Sequence, residues 1–142
     1  MRKIAVEAYP EEIVRQAILN RMIDELGYPL PCIAVEKALK QMPHISLAGG
    51  EVPDRRLDIA CFAKGINPHH ELYPLLVIEC KAIPLTPHVI KQITGYNHFL
   101  KSPFIAIANA NEIRTGWFDP IEQSYRFVPY LPTYLELMAS VK

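Results

Sequence analysis

The stretch "LLVIECKAIPL", residues 75–85, constrains this chain more than any other. Its apolar run has the length and composition of a buried strand, yet Glu79 and Lys81 stand inside it. Burying either charge without a partner costs several kcal/mol, so each needs an opposite charge, a metal or a chemical task. Residues two apart in a strand share a face, which predicts Glu79 and Lys81 on one side and Cys80 on the other. Asp58 lies in "RLDIACFA", a second strand-like run, between Leu57 and Ile59. If the segments 56–63 and 75–83 pair as a hairpin, Asp58 falls beside Glu79. Two carboxylates that close repel each other unless a cation joins them. Mg²⁺ (or Mn²⁺) suits such a pair, because it takes hard oxygen ligands and keeps waters that a phosphate can displace. A lysine beside that metal can orient or deprotonate the attacking water and offset charge on the phosphate. An E-x-K alternation also occurs on ordinary solvent-facing strands as a cross-strand ion pair, and that reading stays open here.

The remaining segments place this pair in a mixed α/β chain. "YPEEIVRQAILNRMIDELGYP" predicts a helix: Pro10 fits its first turn, Glu11 and Glu12 suit its positive end, and Gly27 with Pro29 stops it. Val14, Ile18, Met22 and Leu26 recur at helical spacing, so one face is core. "CIAVEKAL", "RLDIACFA" and "YPLLVIECKAI" read as three strands. "MPHISLAGGEVPDRR" reads as a turn-rich connection in which Gly49-Gly50 reverses the chain. "HVIKQITGYNHFL" is a second helix despite Gly95, "PFIAIANA" a fourth strand, "EIRTGWFD" with "SYRFVPY" a hairpin, and "TYLELMASV" a short closing helix. Three successive strands predict an antiparallel meander, and the helix after them a crossover to a parallel neighbour.

Whole-chain properties narrow the function classes. At 142 residues the chain fits one domain, residues 1–142. Fifteen basic and fifteen acidic residues cancel, so any contact with nucleic acid depends on a local patch rather than on net charge. Cys32, Cys61 and Cys80 are odd in number and form no CxxC, which predicts reduced thiols in a cytoplasmic protein. "MRKIAVEAYP" has too short an apolar part for a secretory leader and contains Glu7, and no apolar run approaches a membrane span.

The order helix, Asp strand, E-x-K strand, helix, strand resembles the PD-(D/E)XK nuclease superfamily, with "PD" reduced to the Asp of "RRLDIA" and the second half given by "ECK". At family level, "YPEEIVRQAILNRMIDELGYP", "IAVEKAL", "RRLDIACFAKG", "LLVIECKA" and "QITGYNHFL" resemble the nuclease domain at the N terminus of type I restriction enzyme motor subunits. The resemblance implies a restriction-endonuclease-like mixed sheet (α-β-β-β-α-β) flanked by helices, with a C-terminal accessory hairpin and short helix. It implies a Mg²⁺-dependent deoxyribonuclease in which Asp58, Glu79 and the main-chain carbonyl of Cys80 hold the metal and Lys81 is catalytic. Gln92 and Tyr96 match a Q-x-x-x-Y motif; spaced i, i+4, they share a helix face and can steer substrate or hold the lysine. Glu12 matches the acid that the first helix of such nucleases contributes, with Glu11 the competing choice and a first-turn dipole role the simpler one. Glu36, inside the first strand, is a further candidate metal ligand. DNA is the implied partner, with a homodimer or a separate helicase or restriction-modification subunit as further partners. The chain contains no Walker A loop, so the resemblance does not extend to a motor.

Arg55, Arg56 and Lys91, together with Lys64 and Lys101, are expected to flank the site and contact phosphates, or else to be solvated surface charges. His69-His70 lack the spacing of zinc ligands. Trp117, Phe118 and the tyrosines at 125, 130 and 134 are expected in the core or an interface.

Overall fold

The computed structural model describes residues 10–42, 44–45 and 55–141. Helix α1 (Pro10–Asp24) leads into β1 (Ile33–Ala38), β2 (Arg56–Lys64) and β3 (Leu72–Cys80). Helix α2 (Pro87–Leu100), β4 (Phe104–Ala108), β5 (Ile113–Asp119), β6 (Ser124–Val128) and α3 (Tyr134–Val141) follow. The predicted reversal at Gly49-Gly50 lies outside the described residues.

The strands form one sheet in chain order, β1-β2-β3-β4-β5-β6. Among the described residues only β3 and β4 run parallel, joined by the crossover helix α2; the other neighbours are antiparallel. The C-terminal hairpin is therefore no accessory: β5 pairs with β4 and extends the central sheet to six strands. The run Phe104–Ala108 is buried at every position, as a strand enclosed on both faces must be.

Each face of the sheet has its own apolar cluster. Val14, Ile18 and Met22 of α1 and Leu137 of α3 pack with Ile59, Cys61, Ile78 and Cys80 on one side. Val89, Ile93 and Leu100 of α2 pack with Ala60, Val77, Ile105 and Ile107 on the other. Burying such side chains contributes roughly 1.5–3 kcal/mol each, which fixes the strand register to within one residue.

Local sequence sets the helix ends. Gly27 adopts φ +76°, a left-handed turn that releases the chain from α1. Tyr28 then donates its hydroxyl to the carbonyl of Pro132 at 2.6 Å, tying the end of α1 to the C-terminal segment. Thr86 caps α2 by accepting from the Val89 amide, with Pro87 in the first turn. Thr133 and Glu136 cap α3 reciprocally: Glu136 accepts from the Thr133 amide at 2.8 Å, and Thr133 from the Glu136 amide at 3.2 Å.

Candidate active site

The ladder between β2 and β3 runs to the pair Ile59–Ile78 and stops there. Asp58 and Glu79 are the next residues on each strand, and at this point side chains replace backbone pairing. Asp58 Oδ2 accepts from the Cys80 amide at 2.7 Å, while the Asp58 amide donates to Glu79 Oε1 at 3.4 Å. Each acid thus grips the other strand's backbone or acid, and both carboxylates are held at one end of the sheet. Glu79 alternates with Val77, so it faces α2, whereas Cys80 joins the cluster under α1. Only the main chain of Cys80 is available to the acids; burial pushes its thiol up to about 12, which leaves it inert.

The answer to the question raised by "LLVIECKAIPL" is that Glu79 is buried but not alone. Its side chain is 4% exposed, and Arg55, 38% exposed, contacts it with Nη2 at 3.1 Å from Oε2. Burial, and after it the Asp58 charge, outweigh the lowering effects of Arg55 and Lys81 and leave the Glu79 pKa raised to about 7. Two acids are therefore packed together at a place where Arg55 and Lys81 only partly offset them. The Arg55 guanidinium also lies 5.1 Å from the centre of the Tyr96 ring, a cation–π contact with α2.

β3 ends at Cys80, and the Lys81 amide donates to the Ala108 carbonyl at 2.8 Å. The residue lines a groove of about 370 Å³ with Pro10, Ile13 and Val14, which belong to the helix on the opposite face. Its charge is nonetheless felt by Glu79. Lys81 stands just past the end of β3, at the rim of the site.

The other candidates divide. Tyr96 is at the site, but it supports Arg55 rather than the lysine. Gln92 is exposed on the same helix. Glu12 and Glu36 do not join Asp58 and Glu79: both bind Arg15, Glu12 directly along α1 and Glu36 at 3.3 Å across to β1. Among the described residues no three His, Cys, Asp or Glu side chains converge on a common point. Arg15, between α1 and β1, engages both acids, although Glu36 falls opposite Asp58 in the β1–β2 register, between the pairs Val35–Ile59 and Lys37–Leu57. Glu11 is exposed on α1, in the first-turn position that suits a dipole role.

Among the basic residues, Arg56 is exposed and donates to the Glu36 carbonyl at 3.1 Å, and Lys91 is exposed on α2. Lys64 and Lys101 do not flank the acids. Lys64 ends β2, about 20 Å of strand from Asp58. Lys101 follows α2, where its carbonyl accepts from Tyr73 near the start of β3. His69 and His70 are turn residues whose amides donate to Asn67 Oδ1. The part played by Arg55 and the buried His44, which contacts the Leu100 carbonyl at 2.7 Å, left no periodic signal in the sequence; both depend on contacts between distant segments.

The family model of the type I restriction enzyme R protein N terminus matches residues 10–132, a span containing all six strands, α1 and α2. This chain belongs to that family. No curated protein and no solved structure matches it. The matched span includes Asp58, Glu79, Lys81, Arg55 and Tyr96, whereas α3 lies beyond it. Among the described residues no helix is long and apolar enough to cross a membrane.

Proposed function

We propose that this domain is a divalent-metal-dependent deoxyribonuclease with a restriction-endonuclease-like core, and that its centre is Asp58, Glu79 and Lys81. The observation that carries the reading is the convergence of Asp58 and Glu79 where the β2–β3 ladder ends, within a chain of the restriction R-protein family. The donor set fits Mg²⁺ or Mn²⁺: two carboxylates provide hard oxygens, and the main-chain carbonyl of Cys80 is the third candidate ligand. The raised pKa of Glu79 supports the fit, since like charges in a buried place favour a cation over two bare carboxylates. When bound, the metal supplies Lewis-acid activation of water and phosphate.

The residues of the chain do the rest. Asp58 and Glu79 hold their carboxylates in place through each other's strands. Lys81, at the rim, orients the attacking water and offsets negative charge on the phosphate. Arg55, Arg56 and Lys91 contact neighbouring phosphates, and Gln92 with Tyr96 presents a helix face to the DNA strand.

The test is incubation of the purified protein with linear, circular and single-stranded DNA in Mg²⁺ or Mn²⁺. Cleavage is expected in the parent and lost in Asp58→Ala and Lys81→Ala. Equal cleavage by parent and variants removes this site from the chemistry. A second reading is favoured by the count of only two converging acids among the described residues. In it the domain is a DNA-binding module that keeps the fold, or a nuclease subunit completed by a separate helicase or restriction-modification partner. Salt-sensitive DNA binding without metal-stimulated cleavage supports the module, and cleavage appearing only with a co-purified subunit supports the partner.

A further inference from the structure

We propose that Arg55 is an internal competitor for the metal, which a DNA phosphate draws away, so that the site fills with metal most readily on its substrate. The inference rests on the reading of Asp58 and Glu79 as metal ligands. Arg55 Nη2 lies 3.1 Å from Glu79 Oε2, so the guanidinium already supplies the positive charge that a metal would bring. A divalent ion on the same carboxylate would face that guanidinium as a like charge, and the two occupants oppose each other.

The anchoring of Arg55 suits a side chain with two positions. Its backbone is fixed, because its carbonyl accepts from the Leu39 amide at 2.9 Å just before β2 begins. Its guanidinium is held on one side by Glu79 and rests 5.1 Å from the Tyr96 ring centre on another. Its Nε is buried and has no hydrogen-bond partner among the described residues, so the inward position leaves a donor unsatisfied. More than a third of the side chain is exposed, within reach of an incoming strand. A phosphate offers the planar guanidinium two parallel hydrogen bonds, which a lysine at this position could not match. Arg55 is thus a positioning residue: it keeps the two acids together without metal and leaves Glu79 free when DNA arrives. By linkage, metal and DNA each strengthen the binding of the other.

Calorimetric titration with Mn²⁺ tests this in the Lys81→Ala background, where the DNA stays intact, with and without a duplex oligonucleotide. Without DNA, Arg55→Gln is expected to bind Mn²⁺ roughly tenfold tighter than the chain that keeps Arg55. DNA is expected to tighten Mn²⁺ binding in the Arg55 chain by about tenfold more than in Arg55→Gln. Arg55→Met, which keeps the aliphatic stem against Tyr96, should behave like Arg55→Gln, and melting curves confirm that both variants are folded. Equal Mn²⁺ affinities without DNA, or equal tightening by DNA, overturn the role of Arg55 while Glu79→Gln still abolishes uptake. If Glu79→Gln leaves Mn²⁺ uptake unchanged, the metal site itself fails, and the inference with it.

Discussion

The two ends of the central sheet bury polar groups in opposite ways. Beyond the start of β3, Asn97 and Ser102 are both nearly inaccessible and satisfy each other. Asn97 Nδ2 donates to the Ser102 carbonyl and the Tyr125 hydroxyl, each at 3.0 Å, and its Oδ1 accepts from the Ser102 amide at 2.9 Å. The Ser102 hydroxyl donates to the Phe104 carbonyl at 2.8 Å. That Asn97–Ser102 network is neutral and closed. At the other end Glu79 is as deeply buried, but its neighbours include another acid and a single, incompletely satisfied arginine. Neutral networks of the first kind stabilise a fold; uncompensated charge of the second kind marks a place where a ligand completes the structure. Tyr96 and Asn97 are consecutive residues of α2, yet one serves the charged end and the other the neutral end.

The largest separation between the ends is expected in activity. Asp58→Ala or Lys81→Ala should lower cleavage by about a hundredfold or more. Asn97→Ala should leave cleavage unchanged below its melting temperature. Its cost is expected in stability, at roughly 2–3 kcal/mol, because the Ser102 amide and carbonyl lose their partner. Chemical denaturation of both variants beside a cleavage assay checks the contrast, and a large activity loss in Asn97→Ala would break it.

The pH dependence of stability distinguishes the ends next. Glu79 holds its proton more tightly in the folded chain, near pH 7, than in the unfolded chain, near 4.5. Between those values the folded state carries more protons, so this group's contribution falls as pH rises and levels off above about 7. The expected loss is on the order of 3 kcal/mol. His44, at the neutral end, has its pKa lowered by burial, so its contribution is lost as pH falls through about 6.5. Melting curves at pH 5–8 should therefore change slope in Glu79→Gln, with stability then rising with pH through the histidine range. Mn²⁺ should restore the parent most at pH 8, where Glu79 has lost its proton.

Two glycines provide the smallest tests. A Cβ at Gly116 would stand 2.5 Å from the Phe127 ring, which lies across it from β6. Gly116→Ala should destabilise the far side of the sheet by about 1–3 kcal/mol without touching metal uptake. Gly95 has open space around it, in the helix that carries Gln92 and Tyr96. Gly95→Ala should stabilise the chain by about 0.5–1 kcal/mol, read as a higher melting temperature. A loss of stability there would mean that α2 needs flexibility next to Tyr96.

The strands and helices were legible because their signals are local. Alternation in "RLDIACFA", the run "LLVIEC" and the helical spacing of Val14, Ile18 and Met22 each required a single window of chain, and the observed elements match them within a few residues. The pairing of Asp58 with Glu79 followed from the hairpin alone. Errors began where a third segment intervened. Glu12 and Glu36 carry the right charge for the site, and in the structure both pair with Arg15, a contact no single window of sequence displays. Lys64 and Lys101 belong to the same strand and helix as Asp58 and Tyr96, but the direction of those elements carries both lysines to the far end.

Sequence by itself determined which residues lie on strands, which face of α1 is buried, and that two acids sit at adjacent strand positions with a lysine close behind. Covalent spacing and backbone periodicity are enough for that. Only the tertiary structure decided that Arg55 rather than Lys81 meets Glu79, that Tyr96 carries the arginine, and that Lys81 stands at the rim. Long charged side chains reach several ångströms in any direction, and their partner is set by desolvation and by what else is near, which no single stretch of chain contains.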